Sequence, residues 1–68
     1  MKYEVLIYWS EPDEAFIAEV PDLPGCMTHG ATYQEAAANA EDAMRGWLKA
    51  WVGMGREVPK PRQRALTA

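Results

Sequence analysis

Apolar and polar positions alternate from Tyr3 to Trp9, with Tyr3, Val5, Ile7 and Trp9 on one side and Glu4, Leu6 and Tyr8 on the other. A period of two is the signature of a strand whose side chains stand on opposite faces. The alternation resumes from about Ala15 to Val20, where Phe16, Ala18 and Val20 oppose Ile17 and Glu19. The intervening Ser10-Glu11-Pro12-Asp13-Glu14 is polar and carries a proline, so it reads as the turn of an antiparallel hairpin. Cys26 to Gly30 predicts a third, short strand ended by glycine.

From Tyr33 the period changes. Ala36, Ala37, Ala40, Ala43, Met44, Trp47, Leu48, Trp51 and Val52 recur at the three-and-four spacing of one buried helical stripe, with polar residues over much of the rest. Thr32 followed three places later by Glu35 is a capping box at the helix start. Gly53 and Gly55 are expected to end the helix. Gly46 is a poor helix former inside it, costing about 1 kcal/mol against alanine. Small alanines early and large indoles late imply a helix that lies close to the sheet first and leans away later. Glu57-Val58 leaves room for a brief fourth strand before Pro59 and Pro61.

These elements predict an α+β fold of order β-β-β-α-β: a small antiparallel three-stranded sheet, one long helix packed on one face, and a short fourth strand. Residues 1–59 form the domain and residues 60–68 a mobile basic tail. The sheet face with Tyr3, Val5, Ile7, Trp9, Phe16, Ala18 and Val20 is wholly apolar and is expected under the helix. The opposite face mixes Glu4, Leu6, Tyr8, Ile17 and Glu19. It has too much hydrocarbon for a solvated surface and too much charge for a core. One helix leaves that face open, and it is the candidate partner-binding surface.

Size strengthens the expectation of partners. The chain has 68 residues, and one so short buries only about 60% of its unfolded surface. A homodimer or larger assembly, such as a tetramer, built from the open face or a strand edge is therefore expected. The alternative is a partly wet antiparallel sheet. No apolar run approaches the roughly 18 residues that span a bilayer, and the N-terminus lacks a secretory pattern. A cytoplasmic protein without membrane contact is the expectation.

Charge is divided along the chain. Residues 1–44 hold one lysine against nine acids, a balance of −8; residues 45–68 hold six bases against one acid, a balance of +5. The division suggests an acidic surface for a basic partner, plus a basic tail. Within the helix, complementing the dipole explains Arg45 and Lys49 equally well. It does not explain Arg62 and Arg64.

Candidate chemistry is sparse. The single cysteine excludes an internal disulfide, and His29 is the single histidine. Cys26 and His29 are three apart on a strand, so their side chains diverge and neither a catalytic dyad nor a metal pair is expected. Glu11, Asp13 and Glu14 share one turn and Asp22 lies in the next loop, a set that a two-metal nuclease could use. Solubilising charge is the simpler role, because converging carboxylates need rigid supports. No glycine-rich phosphate loop is present. Arg56, Lys60, Arg62 and Arg64 could meet phosphates. Without a recognition helix, sequence-specific DNA binding is not expected. Trp47 and Trp51 lie on the apolar stripe and read as core or interface. No cofactor or metal is implied.

One segment is distinctive: Val20-Pro21-Asp22-Leu23-Pro24-Gly25-Cys26, followed by Gly30-Ala31-Thr32 and Glu35-Ala36. Pro21 and Pro24 fix φ and brace a sharp loop, and Gly25 supplies a left-handed residue for re-entry into a strand. With the opening Tyr3-Glu4-Val5-Leu6-Ile7 and the closing Gly55-Arg56-Glu57-Val58-Pro59, this order resembles the N-terminal domain of the HicB-like antitoxins. The resemblance marks Pro21, Asp22, Leu23, Pro24, Gly25, Thr32 and Glu35 as structural motif positions. It implies a reduced RNase H-like arrangement of strands, self-association, and no enzymatic activity. It further implies binding to a small basic HicA-like RNA-cleaving toxin, whose RNA surface and catalytic histidine are covered. Many such antitoxins continue into a DNA-binding domain. The ten residues after Val58 are too few for one, so autorepression is not expected of this chain. Two other readings stand beside the antitoxin: an orphan oligomeric module with no toxin, and a residual metal-dependent nuclease.

Overall fold

The computed structural model describes residues 2–62. Its elements are β1 (Leu6–Ser10), β2 (Ala15–Glu19), β3 (Met27–Gly30) and α1 (Tyr33–Gly53). The strands form one antiparallel sheet in the order β1-β2-β3. Leu6 pairs with Glu19 and Ser10 with Ala15 across the hairpin. Its turn is closed by the Glu14 N–H on the Glu11 carbonyl at 3.2 Å and by the Ser10 hydroxyl on Asp13 at 2.7 Å. Glu14 takes a positive φ of 48° to complete it.

The first two strands are shorter than their alternation predicts, because their common end turns away. The Val20 N–H donates to the Cys26 carbonyl at 3.0 Å, and Pro21 has no N–H to offer. The pairing therefore begins at Leu6, and Tyr3 and Val5 pack on the core ahead of it. The loop from Val20 to Cys26 is two successive tight turns. Leu23 N–H donates to Val20 O at 3.0 Å, and Cys26 N–H to Leu23 O at 2.9 Å. Pro24 and Gly25 occupy the central positions of the second turn, with Gly25 at φ +80° as a type II turn requires. Between the prolines, Leu23 drops into the core at 0% exposure.

The helix begins as the capping box predicts, with one difference. The Glu35 N–H donates to Thr32 Oγ1 at 3.0 Å, while the Glu35 carboxylate accepts from Ala31 N–H at 3.0 Å, one residue before the cap. Gly30 is needed here because the helix start presses against the end of β3: a Cβ on Gly30 would lie 2.5 Å from the Ala36 nitrogen. At the other end Gly55, at φ +78°, ends the helix. Its N–H donates to Val52 O and the Arg56 N–H to Trp51 O, a Schellman closure.

Ala18, Ala36 and Ala40 form a tight cluster with Val5, Ile7 and Phe16. Further along, larger side chains fill the space: Val20, Leu23, Cys26 and Met44, backed by Tyr3, Trp47 and Leu48. This follows the small-to-large gradient along the helix. Two apolar residues depart from expectation. Trp9 is 46% exposed, because α1 lies over β3 and β2 and touches β1 least. It stands edge-on to Phe16 at 5.1 Å and donates its indole N–H to Glu11 at 3.0 Å. Val52, on the outer side of the last turn, is also exposed.

Among the described residues no strand forms at Glu57-Val58. That segment is drawn against the domain by side chains instead. Trp51 Nε1 donates to the Glu57 carbonyl at 2.7 Å, and the Tyr3 hydroxyl donates to the Pro59 carbonyl. With its hydrogen bonds taken up by aromatic donors, the arm runs past the sheet end and does not join a ladder. Of the expected tail, Lys60, Pro61 and Arg62 are described and residues 63–68 lie outside the described residues.

Candidate protein-binding face

Cross-strand pairing assembles the face that alternation left without a cover. Leu6 lies opposite Glu19, Tyr8 opposite Ile17, and β3 adds Met27 opposite Glu19 and His29 opposite Ile17. Because Ala18 is buried under the helix, its sequence neighbours Ile17 and Glu19 must point to the other side. Leu6 is 49% exposed, Tyr8 43% and Met27 54%. Met27 and His29 were absent from the candidate set read from the sequence. The available signal was Cys26: once it is buried, the next positions at strand spacing fall outward and inward in turn.

Glu4 precedes β1 and stands at the rim, its carboxylate 3.9 Å from the Arg62 guanidinium. Glu19 sits centrally. As hydrogen-bond acceptor for the Tyr8 phenol it holds that hydroxyl above the usual tyrosine value, with desolvation and the Glu19 and Asp13 charges acting in the same direction. A cleft of about 290 Å³ opens beside Glu19, walled by Leu6, Met27 and the Pro21–Gly25 loop. The surface is thus an apolar centre with a carboxylate in it, flanked by a shallow depression.

The other candidate constellations do not converge. Cys26 is buried in the core and its thiol is pushed up by desolvation, while His29 is exposed on the opposite face of the sheet. Three of the four loop acids have separate engagements. Glu11 accepts from Trp9 and Asp13 from Ser10. Asp22 accepts the Arg62 N–H at 2.8 Å and lies 3.4 Å from its guanidinium. Among the described residues no group of three or more His, Cys, Asp or Glu side chains is arranged to hold a metal ion, and no helix is long and apolar enough to cross a membrane.

Two of the basic residues considered for phosphate contact engage other parts of the chain. Arg56 stacks over Trp51 at 4.6 Å from the ring centre, and Arg62 bridges Glu4 and Asp22. Arg64 lies outside the described residues. Trp47 and Trp51 stack on each other at 4.6 Å. Trp47 also ties the helix to the proline loop through its N–H on Pro24 O at 2.9 Å. The indoles brace the domain, and within the proline loop Leu23 packs in the core.

Comparison with known proteins agrees with this architecture. The family model described as "HicB_like antitoxin of bacterial toxin-antitoxin system" matches residues 3–67. The UPF0150 protein Ta0767 of Thermoplasma acidophilum is 34% identical over 67 residues, covering 98% of this chain and 96% of that protein. An uncharacterized 14.9 kDa protein from the rep-hol intergenic region of Haemophilus phage HP1 is 32% identical over 60 residues. The match covers 88% of this chain but 44% of the phage protein, so the shared domain spans less than half of that relative. A proline loop that buries Leu23, a Thr32–Glu35 helix start, and a match over nearly the whole chain lead to one conclusion: this chain belongs to the HicB-like antitoxin family.

Proposed function

We propose that this chain is an antitoxin-type binding protein whose open sheet face docks on a small basic HicA-like RNA-cleaving protein and occludes its RNA-binding surface. The observation that supports the reading is the face itself: Leu6, Tyr8, Ile17 and Met27 around Glu19, with Glu4 at the rim. Apolar and aromatic residues at the centre supply contact energy. The acidic first part of the chain steers a basic partner and sets its orientation. The chain contributes surface and charge in this role, with no catalytic step and no cofactor of its own. The cytoplasm, where messenger RNA is cleaved and protected, is the compartment that fits.

The test is co-expression with a small basic protein encoded beside this chain, followed by an RNA-cleavage assay with and without the chain. Silenced cleavage that is restored by Ile17→Asp supports the reading, because Ile17 lies at the middle of the face. Cleavage that continues in the presence of excess chain sinks it. A second reading, a self-associating module with no toxin, is favoured by the exposed Leu6, Tyr8 and Met27. It prevails if the chain assembles with itself and ignores every basic neighbour.

A further inference from the structure

Leu6, Glu19 and Met27 form one row across the three strands, because Glu19 pairs with Leu6 on one side and with Met27 on the other. The two apolar side chains are exposed, and Glu19 between them is half-buried. The cleft of about 290 Å³ runs from this row to Pro21 and Pro24. A whole small-molecule ligand takes roughly 300–1,000 Å³. This cleft is sized for one long side chain.

Its chemistry selects which one. The N–H groups of Val20, Leu23 and Cys26 are engaged inside the proline loop, and Pro21 and Pro24 have none. The wall is therefore poor in donors, which disfavours a carboxylate, a phosphate or a nucleic-acid backbone. The Glu19 charge disfavours them further. Its carboxylate accepts from the Tyr8 phenol, and an ionised carboxyl has about four lone-pair sites, so acceptor capacity remains. Among the described residues the ion pairs join Arg45 to Asp42, and Arg62 to Glu4 and Asp22; none reaches Glu19.

We propose that this cleft receives an arginine side chain of a basic partner protein, with its methylene stem against Leu6, Met27 and the prolines and its guanidinium on Glu19. Arginine suits the place better than lysine. A guanidinium is weakly hydrated, lies flat against hydrocarbon and offers paired N–H groups to a carboxylate. An ammonium is a compact, strongly hydrated charge that enters a half-apolar cleft at greater cost. The same loop already holds one guanidinium from within the chain, since Asp22 lies 3.4 Å from that of Arg62. The inference rests on the reading of the open face as a docking surface, and it adds the residue type that keys into that face.

The test needs no partner. The full chain, isotope-labelled at its methionine and leucine methyl groups, is titrated with N-acetyl-arginine methylamide and followed by NMR. The Leu6 and Met27 methyls should shift together and saturate. The citrulline counterpart has a similar shape without the charge. It should bind about tenfold more weakly, the scale of one charge-assisted hydrogen bond. Glu19→Gln should abolish the difference between arginine and citrulline. Met27→Arg places a guanidinium of the chain itself beside Glu19 and should block the probe. Met27 is exposed, and thermal unfolding checks that both variants fold. Absence of a saturable shift at Leu6 and Met27 overturns the inference. So does equal affinity for arginine and citrulline, or arginine binding that Glu19→Gln leaves undiminished. Silenced RNA cleavage without arginine binding would sink the cleft and spare the face as a docking surface. Arginine binding with cleavage that continues would keep the cleft and sink the toxin.

Discussion

Arg62 meets Asp22 twice across a separation of 40 residues: its N–H donates to Oδ2 at 2.8 Å and its guanidinium lies 3.4 Å from Oδ1. This contact ties the arm after the helix to the proline loop, and it gives Asp22 a structural task. Asp22→Ala should lower stability by about 1 kcal/mol, the scale of a charge-assisted hydrogen bond reduced by the exposure of its arginine partner. Urea unfolding followed by tryptophan emission checks this. Part of the loss should vanish in high salt, which weakens the ion pair in the parent chain. An unchanged midpoint would show that the Asp22–Arg62 contact contributes nothing to the fold.

Two glycines make opposite predictions. Gly46 lies in the helix with open space where a Cβ would go, so Gly46→Ala should stabilise by about 0.5–1 kcal/mol. Gly30 has the Ala36 backbone at 2.5 Å from the same point. Gly30→Ala should therefore force the helix start away from β3 and cost about 1–3 kcal/mol. Thermal unfolding of the pair measures both signs in one experiment.

Thr32 closes the first turn of α1 through Glu35 N–H. Thr32→Ala should cost about 1 kcal/mol, and Thr32→Ser or Thr32→Asp should restore most of it. A chain indifferent to alanine at this position would contradict the cap as described.

Tyr8 links the open face to pH. Its hydroxyl is held above the usual tyrosine value, first by the Glu19 hydrogen bond. The folded state therefore keeps this proton where the unfolded chain has begun to lose it. The contribution is fully present below about pH 10, the unfolded tyrosine value, and is lost as pH rises through the folded value. Tyr8→Phe should flatten that part of the alkaline stability profile. An ultraviolet difference titration of parent minus Tyr8→Phe should show a phenol ionising late. Ionisation at or below about pH 10 would contradict the Glu19 contact.

Much of the fold was legible because its causes are local. Alternation marked the strands, the Thr32–Glu35 spacing marked the helix start, and Gly25 and Gly55 marked turns needing positive φ. Alternation also put Leu6, Tyr8, Ile17 and Glu19 on one side of the sheet, while Glu4 falls ahead of β1 at its rim. Met27 and His29 were missed because the register of β3 against β2 is needed to place them. Trp9 was assigned to the covered face, yet alternation reports the side of a sheet and says nothing of how far a helix reaches across it. The fourth strand was expected from room in the sequence. It was displaced by donors as distant as Tyr3, 56 residues from Pro59.

The sequence by itself determined the order of the three strands and the helix, the helix start and the family, since each rests on relations between residues a few positions apart or on a contiguous motif. Tertiary structure alone decided three things: the burial of Leu23, the anchoring of the arm by Tyr3, Trp51 and Asp22, and the lean of α1 over β3 that exposes Trp9. Those outcomes depend on which surfaces meet across the whole chain, and hydrogen-bond donors compete for partners there regardless of their distance in sequence.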